Sequence, residues 1–138
     1  MKAMIEFKKK PVKNFMNKSV AVISSGATVY EAVQKMCGLK IGAVVIIEDD
    51  VPTGIFTERD LAYKVVAKNL DYHKTFLKNV MTKRLTTILP DATIQEAILL
   101  SATKNIRHLP VVDEKNKLIG LVGTKDVIGE LLSNFLPL

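Results

Sequence analysis

The chain has 138 residues, and 48% of them are hydrophobic, which is enough for one domain or for two small halves that share a core. No apolar run approaches the ~20 residues that cross a bilayer, and Met1 to Lys10 lacks the apolar segment of a secretion signal. We therefore expect a cytoplasmic protein that does not contact membranes. The single cysteine, Cys37, excludes an internal disulfide and a cysteine-pair metal site, and we interpret it as a small buried residue.

The net charge of +6 is concentrated at the amino terminus, where the first 18 residues contain six lysines and one glutamate. We interpret residues 1–13 as a basic, solvated tail. Only 6% of the residues are aromatic, so rings that could stack on bases are scarce. The composition does not favour nucleic-acid binding.

The sequence repeats itself with a shift of 65 residues. Asn14-Phe15-Met16-Asn17-Lys18 returns as Asn79-Val80-Met81-Thr82-Lys83, and after one extra residue in the second copy Asp60 corresponds to Asp126. Each copy is too short to bury a secure core alone, so we expect the two to pack together. The predicted organisation is a tail at 1–13, a first repeat at 14–69, a connector at 70–78 and a second repeat at 79–136.

Local signals predict the order β-α-β-β-α in each copy. Capping boxes at Thr28 and Thr93 begin the first helices, and apolar helical faces end each copy, with Pro137 marking the last stop. The predicted strands are 21–23, 43–47 and 54–56 in the first copy and 86–88, 109–112 and 118–122 in the second. The acidic run 48–50 is predicted to be a solvated hairpin turn rather than a magnesium site.

The stretch from Gly54 to Leu61 carries the main candidate site. Thr57 is placed to cap a helix, and Asp60 falls in its first turn, where unpaired N–H groups and the helix dipole favour an anion. A carboxylate accepts both hydroxyls of a ribose diol, and the N–H groups hold phosphate oxygens. Capping without any ligand is the alternative. The second copy keeps Asp126 but has Gly123 in place of Thr57, which favours a role for the acid beyond capping.

These motifs resemble the cystathionine-β-synthase-type (CBS) domain pair, also called a Bateman module. The resemblance covers about residues 14–136 and is strongest at 54–61, 107–113 and 120–127. It implies an α/β (α+β) fold of two β-α-β-β-α repeats packed with pseudo-twofold symmetry. It also implies a non-catalytic regulatory module that requires no cofactor and no metal. The implied regulatory ligand is an adenine nucleotide such as AMP, ADP or ATP, or S-adenosylmethionine, and homodimers are common.

The resemblance also assigns residues to two clefts. In the first, it implies Asp60 on ribose and Thr57 on phosphate, and the second would use Asp126 on ribose. The other residues implied for the first cleft are Ile41, Gly42, Ala43, Arg59, Thr82, Lys83 and Thr86, and those for the second are Arg107, His108, Thr124 and Lys125. We prefer the first cleft, because it keeps both the threonine and the acid.

Two other function classes remain open. One is a protein-interaction or nucleic-acid-binding module that acts through the basic tail and does not respond to nucleotides. The other is an enzyme acting at the cleft, for which the sequence offers no paired nucleophile and base. His73, in the connector, is predicted to face solvent. An unidentified effector protein is expected to receive the signal.

Overall fold

The computed structural model describes residues 1–135, and the chain divides into two compact units. The repeat-1 unit is Val20–Leu85. The repeat-2 unit combines Met1–Ser19 with the described part of Thr86–Leu138. The predicted helix stop at Pro137 lies outside the described residues. The segment that opens each repeat in the sequence therefore belongs to the unit of the other repeat.

Hydrogen bonds explain this exchange of opening segments. Asn17 forms an antiparallel bridge with Leu121, and their backbone N–H groups each donate to the other's carbonyl at 2.9 Å. Thr82 forms the same kind of bridge with Ile55 at 2.9 and 3.0 Å. Each opening segment thus extends the edge of a hairpin in the other copy.

The described helices and strands follow the predicted order, except that an additional helix precedes the first repeat and that the predicted strand at 86–88 is not formed. They are α1 (Lys2–Lys8), β1 (Val22–Ile23), α2 (Val29–Leu39), β2 (Ala43–Glu48), β3 (Val51–Thr57), α3 (Glu58–Asp60, continued by a π-helix over Leu61–Val66), α4 (Ile94–Lys104), β4 (His108–Val112), β5 (Leu118–Gly123) and α5 (Thr124–Phe135). Short 3₁₀ turns cover Val12–Asn14 and Leu77–Asn79.

The repeat-1 unit contains a three-stranded sheet in the order β1-β2-β3, with β1 parallel and β3 antiparallel to β2. Strand β2 is buried from Ala43 to Ile46, which confirms the prediction of a strand covered on both faces. Phe56 on β3 and Met36 on α2 pack in the same core. The turn between β2 and β3 places Asp49 and Asp50 at φ 50° and 66°, and all three acids of this run are exposed, as predicted.

The repeat-2 unit contains the hairpin β4-β5, and its predicted first strand at 86–88 is reduced to one parallel bridge between Ile88 and Val111. In the repeat-1 unit, the N–H of Val45 donates to the carbonyl of Ala21 at 2.9 Å. Pro110 occupies the position of Val45 in the second copy and has no N–H to donate. The ladder therefore loses one hydrogen bond, and the strand is not formed.

The amino-terminal segment is not the solvated tail that its lysines predicted. It forms α1, and the Phe7 side chain is buried, with its ring 5.2 Å from the ring of Phe135 in an edge-to-face arrangement. The carbonyl of Lys10 accepts the first free N–H of α4, from Ile94, at 2.8 Å. An apolar contact and a helix cap thus hold the segment to the repeat-2 unit.

Two single-residue predictions have opposite outcomes. Cys37 is exposed, so its interpretation as a buried residue was wrong. The buried face of α2 runs through Val29, Ala32 and Met36, and the next residue is turned about 100° away from it. His73 is exposed, as predicted, and its ring lies 4.4 Å from that of Tyr30.

Candidate functional site

The first site is the corner at which β3 ends and α3 begins. Thr57 has an extended backbone, and its hydroxyl accepts a hydrogen bond from the Asp60 N–H at 3.3 Å. In return, Oδ2 of Asp60 accepts from the Thr57 N–H at 2.9 Å and from its hydroxyl at 3.2 Å. Both halves of a capping box are therefore formed at this corner, so Thr57 and Asp60 do cap the helix.

The other carboxylate oxygen of Asp60 is also engaged. Oδ1 accepts from the Thr82 hydroxyl at 3.0 Å and forms an ion pair with Nζ of Lys64 at 2.9 Å. Lys64 also donates to the Thr82 hydroxyl at 3.1 Å, which closes a triangle of three side chains. Only 5% of Asp60 is exposed, so this predicted ribose ligand is buried and surrounded by donors from its own chain.

Strand pairing brings Gly42 and Ala43 to the same corner. Ala43 pairs with Thr57 across the hairpin, and the carbonyl of Gly42 accepts the Glu58 N–H at 3.1 Å. The Glu58 carboxylate lies 3.1 Å from the position that a Cβ atom on Gly42 would take. The first site therefore contains a second acid, which the sequence analysis did not include.

The remaining residues predicted for the first site differ in their burial and in the unit to which they belong. Arg59 and Lys83 are exposed, whereas Ile41 packs against the core of the repeat-1 unit. Thr86 belongs to the repeat-2 unit. Its assignment to this site stays a prediction.

The second site is the matching corner between β5 and α5. The Gly123 N–H donates to Oδ2 of Asp126 at 2.7 Å, which reproduces one half of the capping box. Among the residues that the structure describes, no group donates to Oδ1 of Asp126, and the side chain is half-buried. Thr124 is the first residue of α5 and is exposed, so its hydroxyl does not replace that of Thr57.

The other residues predicted for the second site lie around this corner. His108 pairs with Gly123 across the hairpin, and the Thr124 N–H donates to the Arg107 carbonyl at 3.0 Å. A Cβ atom on Gly123 would lie 3.4 Å from Oδ2 of Asp126 and 3.7 Å from Cδ2 of His108. Arg107 and Lys125 are exposed, and Asp126 is half-buried, so two cationic residues belong to the segments that form this corner.

Lys64 is the residue that sequence reasoning missed at the first site. Its signal was present, because a lysine four residues after an aspartate on a helix faces that aspartate. The matching residue in the second copy is Glu130, which pairs instead with Nζ of Lys10 at 2.5 Å. The hydrogen bond from Lys10 lowers the pKa of Glu130, burial opposes this shift, and a hydrogen bond from Asn134 adds to it.

The described part of the chain contains neither a metal-binding cluster nor a membrane-spanning helix. Within residues 1–135, no cluster of three or more His, Cys, Asp and Glu side chains is placed to hold a metal ion. No helix in that range is both long enough and apolar enough to cross a membrane.

The chain is similar to several proteins of known sequence. It is 34% identical over 123 residues to the CBS domain-containing protein YhcV of Bacillus subtilis, covering 89% of this chain and 86% of that protein. It is 40% identical over 102 residues to an uncharacterized protein of Methanopyrus kandleri, covering 73% of this chain. Here the chain matches only 52% of the relative's length.

Solved structures match over most of the chain. A putative signal-transduction protein with CBS domains from Burkholderia ambifaria has a TM-score of 0.82 at 30% identity, with 88% and 89% of the two chains covered. The CBS domain pair of protein MJ0100, solved in complex with 5′-methylthioadenosine and S-adenosylmethionine, has a TM-score of 0.80 at 26% identity and covers 90% and 96%. A hexameric CBS-CP12 protein from bloom-forming cyanobacteria has a TM-score of 0.77 at 28% identity and covers 86% and 69%.

The family model for the CBS domain matches the chain twice, at residues 12–67 and at 77–133. Both matches contain one of the two corners described above. The chain therefore belongs to the CBS-domain family and is a tandem CBS pair.

Proposed function

We propose that this CBS pair is a non-catalytic, cytoplasmic sensor that binds an adenosyl ligand and signals its occupancy to a partner protein. The observation that carries the proposal is the state of Asp126. One of its oxygens is held by the Gly123 N–H, and the other has no donor in the described residues. The complex of protein MJ0100 with two adenosyl compounds supports the ligand class, since that CBS pair matches most of this chain.

The chemistry of the second site suits a nucleotide. The accessible oxygen of Asp126 is an acceptor for the hydroxyls of a ribose diol. It stands in the first turn of α5, a helix of 12 residues whose amino-terminal N–H groups favour an anion. Arg107 supplies a planar group with several donors for phosphate, and Lys125 adds a second positive charge. AMP, ADP, ATP and S-adenosylmethionine all carry the required diol.

This proposal makes the second site the primary one, whereas the sequence favoured the first. The sequence analysis counted Thr57 as a ligand for phosphate, but its hydroxyl and N–H are directed to Asp60. The first site also has the Glu58 carboxylate next to Gly42, and the residue that corresponds to Gly42 in the second copy is Arg107. At this one position, a phosphate would therefore meet the Glu58 carboxylate at the first corner and the Arg107 guanidinium at the second.

Signalling requires that the ligand bind two conformations or association states with different affinities. Large apolar side chains on α4 and α5 suit an association state, because Leu99 is 65% exposed and Ile128 is 50% exposed. We include a homodimer through this surface in the proposal. A chain with Leu99→Glu should then elute as a monomer in size exclusion with light scattering, at a concentration at which the wild type is a dimer.

The test of ligand binding is a thermal-shift panel of AMP, ADP, ATP, NAD and S-adenosylmethionine. Ligand at 100 times its dissociation constant stabilises the folded chain by ~2.7 kcal/mol, which raises the melting temperature by several degrees. The shift should disappear in Asp126→Asn and persist in Glu114→Gln, which removes one negative charge from an exposed turn residue. Absence of a shift with every compound would refute the proposal.

The role of phosphate has its own control. Arg107→Gln should weaken AMP more than adenosine, because only AMP has a charge for the guanidinium to contact. Equal weakening of both ligands would remove Arg107 from the proposed phosphate contact.

The rival function, binding through the basic amino terminus, is less well supported. Phe7 is buried, and Lys10 is paired with Glu130, so part of that segment is fixed to the repeat-2 unit. A deletion of residues 1–13 distinguishes the two functions. Loss of RNA or DNA retention by this deletion, together with no nucleotide response in the full chain, would favour the rival.

A further inference from the structure

We infer that Lys64 acts as an internal ligand of the first site, so that the chain binds one adenosyl ligand at the second site and none at the first. The inference rests on the proposed function. It goes beyond it by assigning a stoichiometry and the residue that sets it. The basis is a comparison of the donors that reach Asp60 and Asp126.

Three side chains that donate to Asp60 are replaced at matching positions of the second copy. The hydroxyl of Thr57 becomes Gly123, which has no side chain. The hydroxyl of Thr82 becomes the amide of Asn17, whose Oδ1 accepts the N–H of Ser19 at 2.9 Å. Gly123 has no side-chain donor, and the Asn17 amide makes no hydrogen bond to Asp126 among the described residues.

The third replacement inverts a charge. Lys64, which lies 2.9 Å from Oδ1 of Asp60, becomes Glu130. A glutamate cannot donate to Asp126, and this one is held by Lys10 of the amino-terminal segment. The second acid therefore has no cation of its own unit at the position that Lys64 occupies beside the first.

The number of acceptor positions then decides which acid is available. A carboxylate offers about four lone-pair positions. Asp60 receives four contacts, from the Thr57 N–H, the Thr57 hydroxyl, the Thr82 hydroxyl and Lys64. A ribose diol must displace Lys64 and Thr82 to reach Oδ1, whereas Oδ1 of Asp126 is available without displacement.

Lys64 is the residue whose removal should open the first site. Its side chain is 40% exposed whereas that of Asp60 is 7% exposed, so Lys64 is the solvent-accessible partner of this ion pair. The helix changes from α to π directly after Asp60, and Lys64 lies within the π-helix. Interruptions of this kind are frequent at functional positions in helices.

The experiment is a calorimetric titration with AMP and with adenosine. The wild type should bind one equivalent, and Asp126→Asn should bind none in the same concentration range. Addition of Lys64→Met to Asp126→Asn should restore one equivalent and tighten binding by about tenfold or more relative to Asp126→Asn alone, since the ligand gains a charge-assisted hydrogen bond to Asp60. Lys68→Met, at an exposed lysine of the same segment, is the matched control and should restore nothing.

The outcomes separate this inference from the proposed function. If the wild type and all variants bind neither compound, both are overturned. If the wild type binds two equivalents, the proposed function stands and the inference is wrong. If its single equivalent is lost in Asp60→Asn and kept in Asp126→Asn, the adenosyl ligand class stands, but the inference and the choice of the second site as the primary one are both wrong. It is also wrong if Asp126→Asn and the double variant bind equally. A double variant with Thr82→Asn in place of Lys64→Met tests whether the hydroxyl, rather than the lysine, closes the site.

Discussion

Asp60 accepts hydrogen bonds from two threonines, forms an ion pair with Lys64 and is only 5% exposed. Its replacement by alanine should therefore destabilise the chain strongly. Loss of the helix cap costs about 1 kcal/mol. The Thr82 hydroxyl and the Thr57 N–H, which are partly buried and lose their partner, add about 1 kcal/mol each, because water replaces the lost hydrogen bonds only incompletely. Lys64 is partly exposed and regains water, so its contribution is small.

The expected loss is therefore about 3 kcal/mol for Asp60→Ala and about 1 kcal/mol for Asp126→Ala, which has one described hydrogen bond to lose. In a chain of this size the melting temperature falls by about 4 °C for each kcal/mol, which gives about 12 °C and about 4 °C. Urea unfolding followed by circular dichroism measures the free energies directly. Glu114→Ala, at an exposed turn, is the control and should change neither quantity.

Equal losses in the two aspartate variants would refute this reasoning, because the two acids occupy matching corners but differ in their donors and in their burial. A larger loss in Asp126→Ala would refute it more strongly. Both results would mean that the contacts of Asp60 do not contribute to stability, and the argument for an occupied first site would fail with them.

The ion pair between Lys10 and Glu130 should make the free energy of unfolding depend on pH, because the pKa of Glu130 is lower in the folded chain than its ordinary value of about 4.5. The stabilisation by this ion pair is complete above that ordinary value and is lost as the pH falls through the lower pKa of the folded chain. Melting temperatures of the wild type and Glu130→Gln should differ at pH 7 by an amount that corresponds to about 1 kcal/mol or less and converge in acid; a difference that grows in acid would contradict this. Gly54→Ala should cost about 1–3 kcal/mol in urea unfolding, because its Cβ would lie 2.5 Å from Sδ of Met81, and an unchanged midpoint would show that the methionine moves aside. Gly38→Ala, whose Cβ would meet nothing within 4 Å on helix α2, should instead stabilise by about 0.5–1 kcal/mol, and destabilisation there would contradict the helix-propensity argument.

Much of the fold was predictable because its signals are local. The capping box at Thr93 and the apolar run of β2 each depend on residues close together in the sequence, and the structure contains both. The missing strand at 86–88 depends on Pro110, which lies more than twenty residues away. Its effect could be predicted only once the partner strand was known.

The amino-terminal helix shows a second limit. Its lysines predicted a solvated segment, but lysines also occur on the outer face of a helix whose other face is buried. The decisive residue is Phe7, which contacts Phe135 near the other end of the chain. No local pattern in the first 13 residues indicates that contact.

The positions of the two acids in the fold were predictable from the repeat, whereas their roles as ribose ligands stay predictions. The resemblance indicated both acids, and the structure places Asp60 and Asp126 at matching corners. From the sequence, Thr57 was interpreted as an additional ligand residue of the first site, with capping and ligand binding able to coexist. They compete, because a hydroxyl directed at the acid occupies a lone pair that a ligand would need.

The difference in expected ligand binding between the corner at 54–61 and the matching corner around Asp126 follows from that competition. An aspartate in the first turn of a helix stabilises the fold in proportion to the internal donors it accepts, and each donor makes it less available to a ribose. A duplicated corner allows one copy to gain internal donors and the other to lose them. Thr57, Lys64 and Thr82 are the donors at the first corner, and Gly123, Glu130 and Asn17 stand at the matching positions of the second.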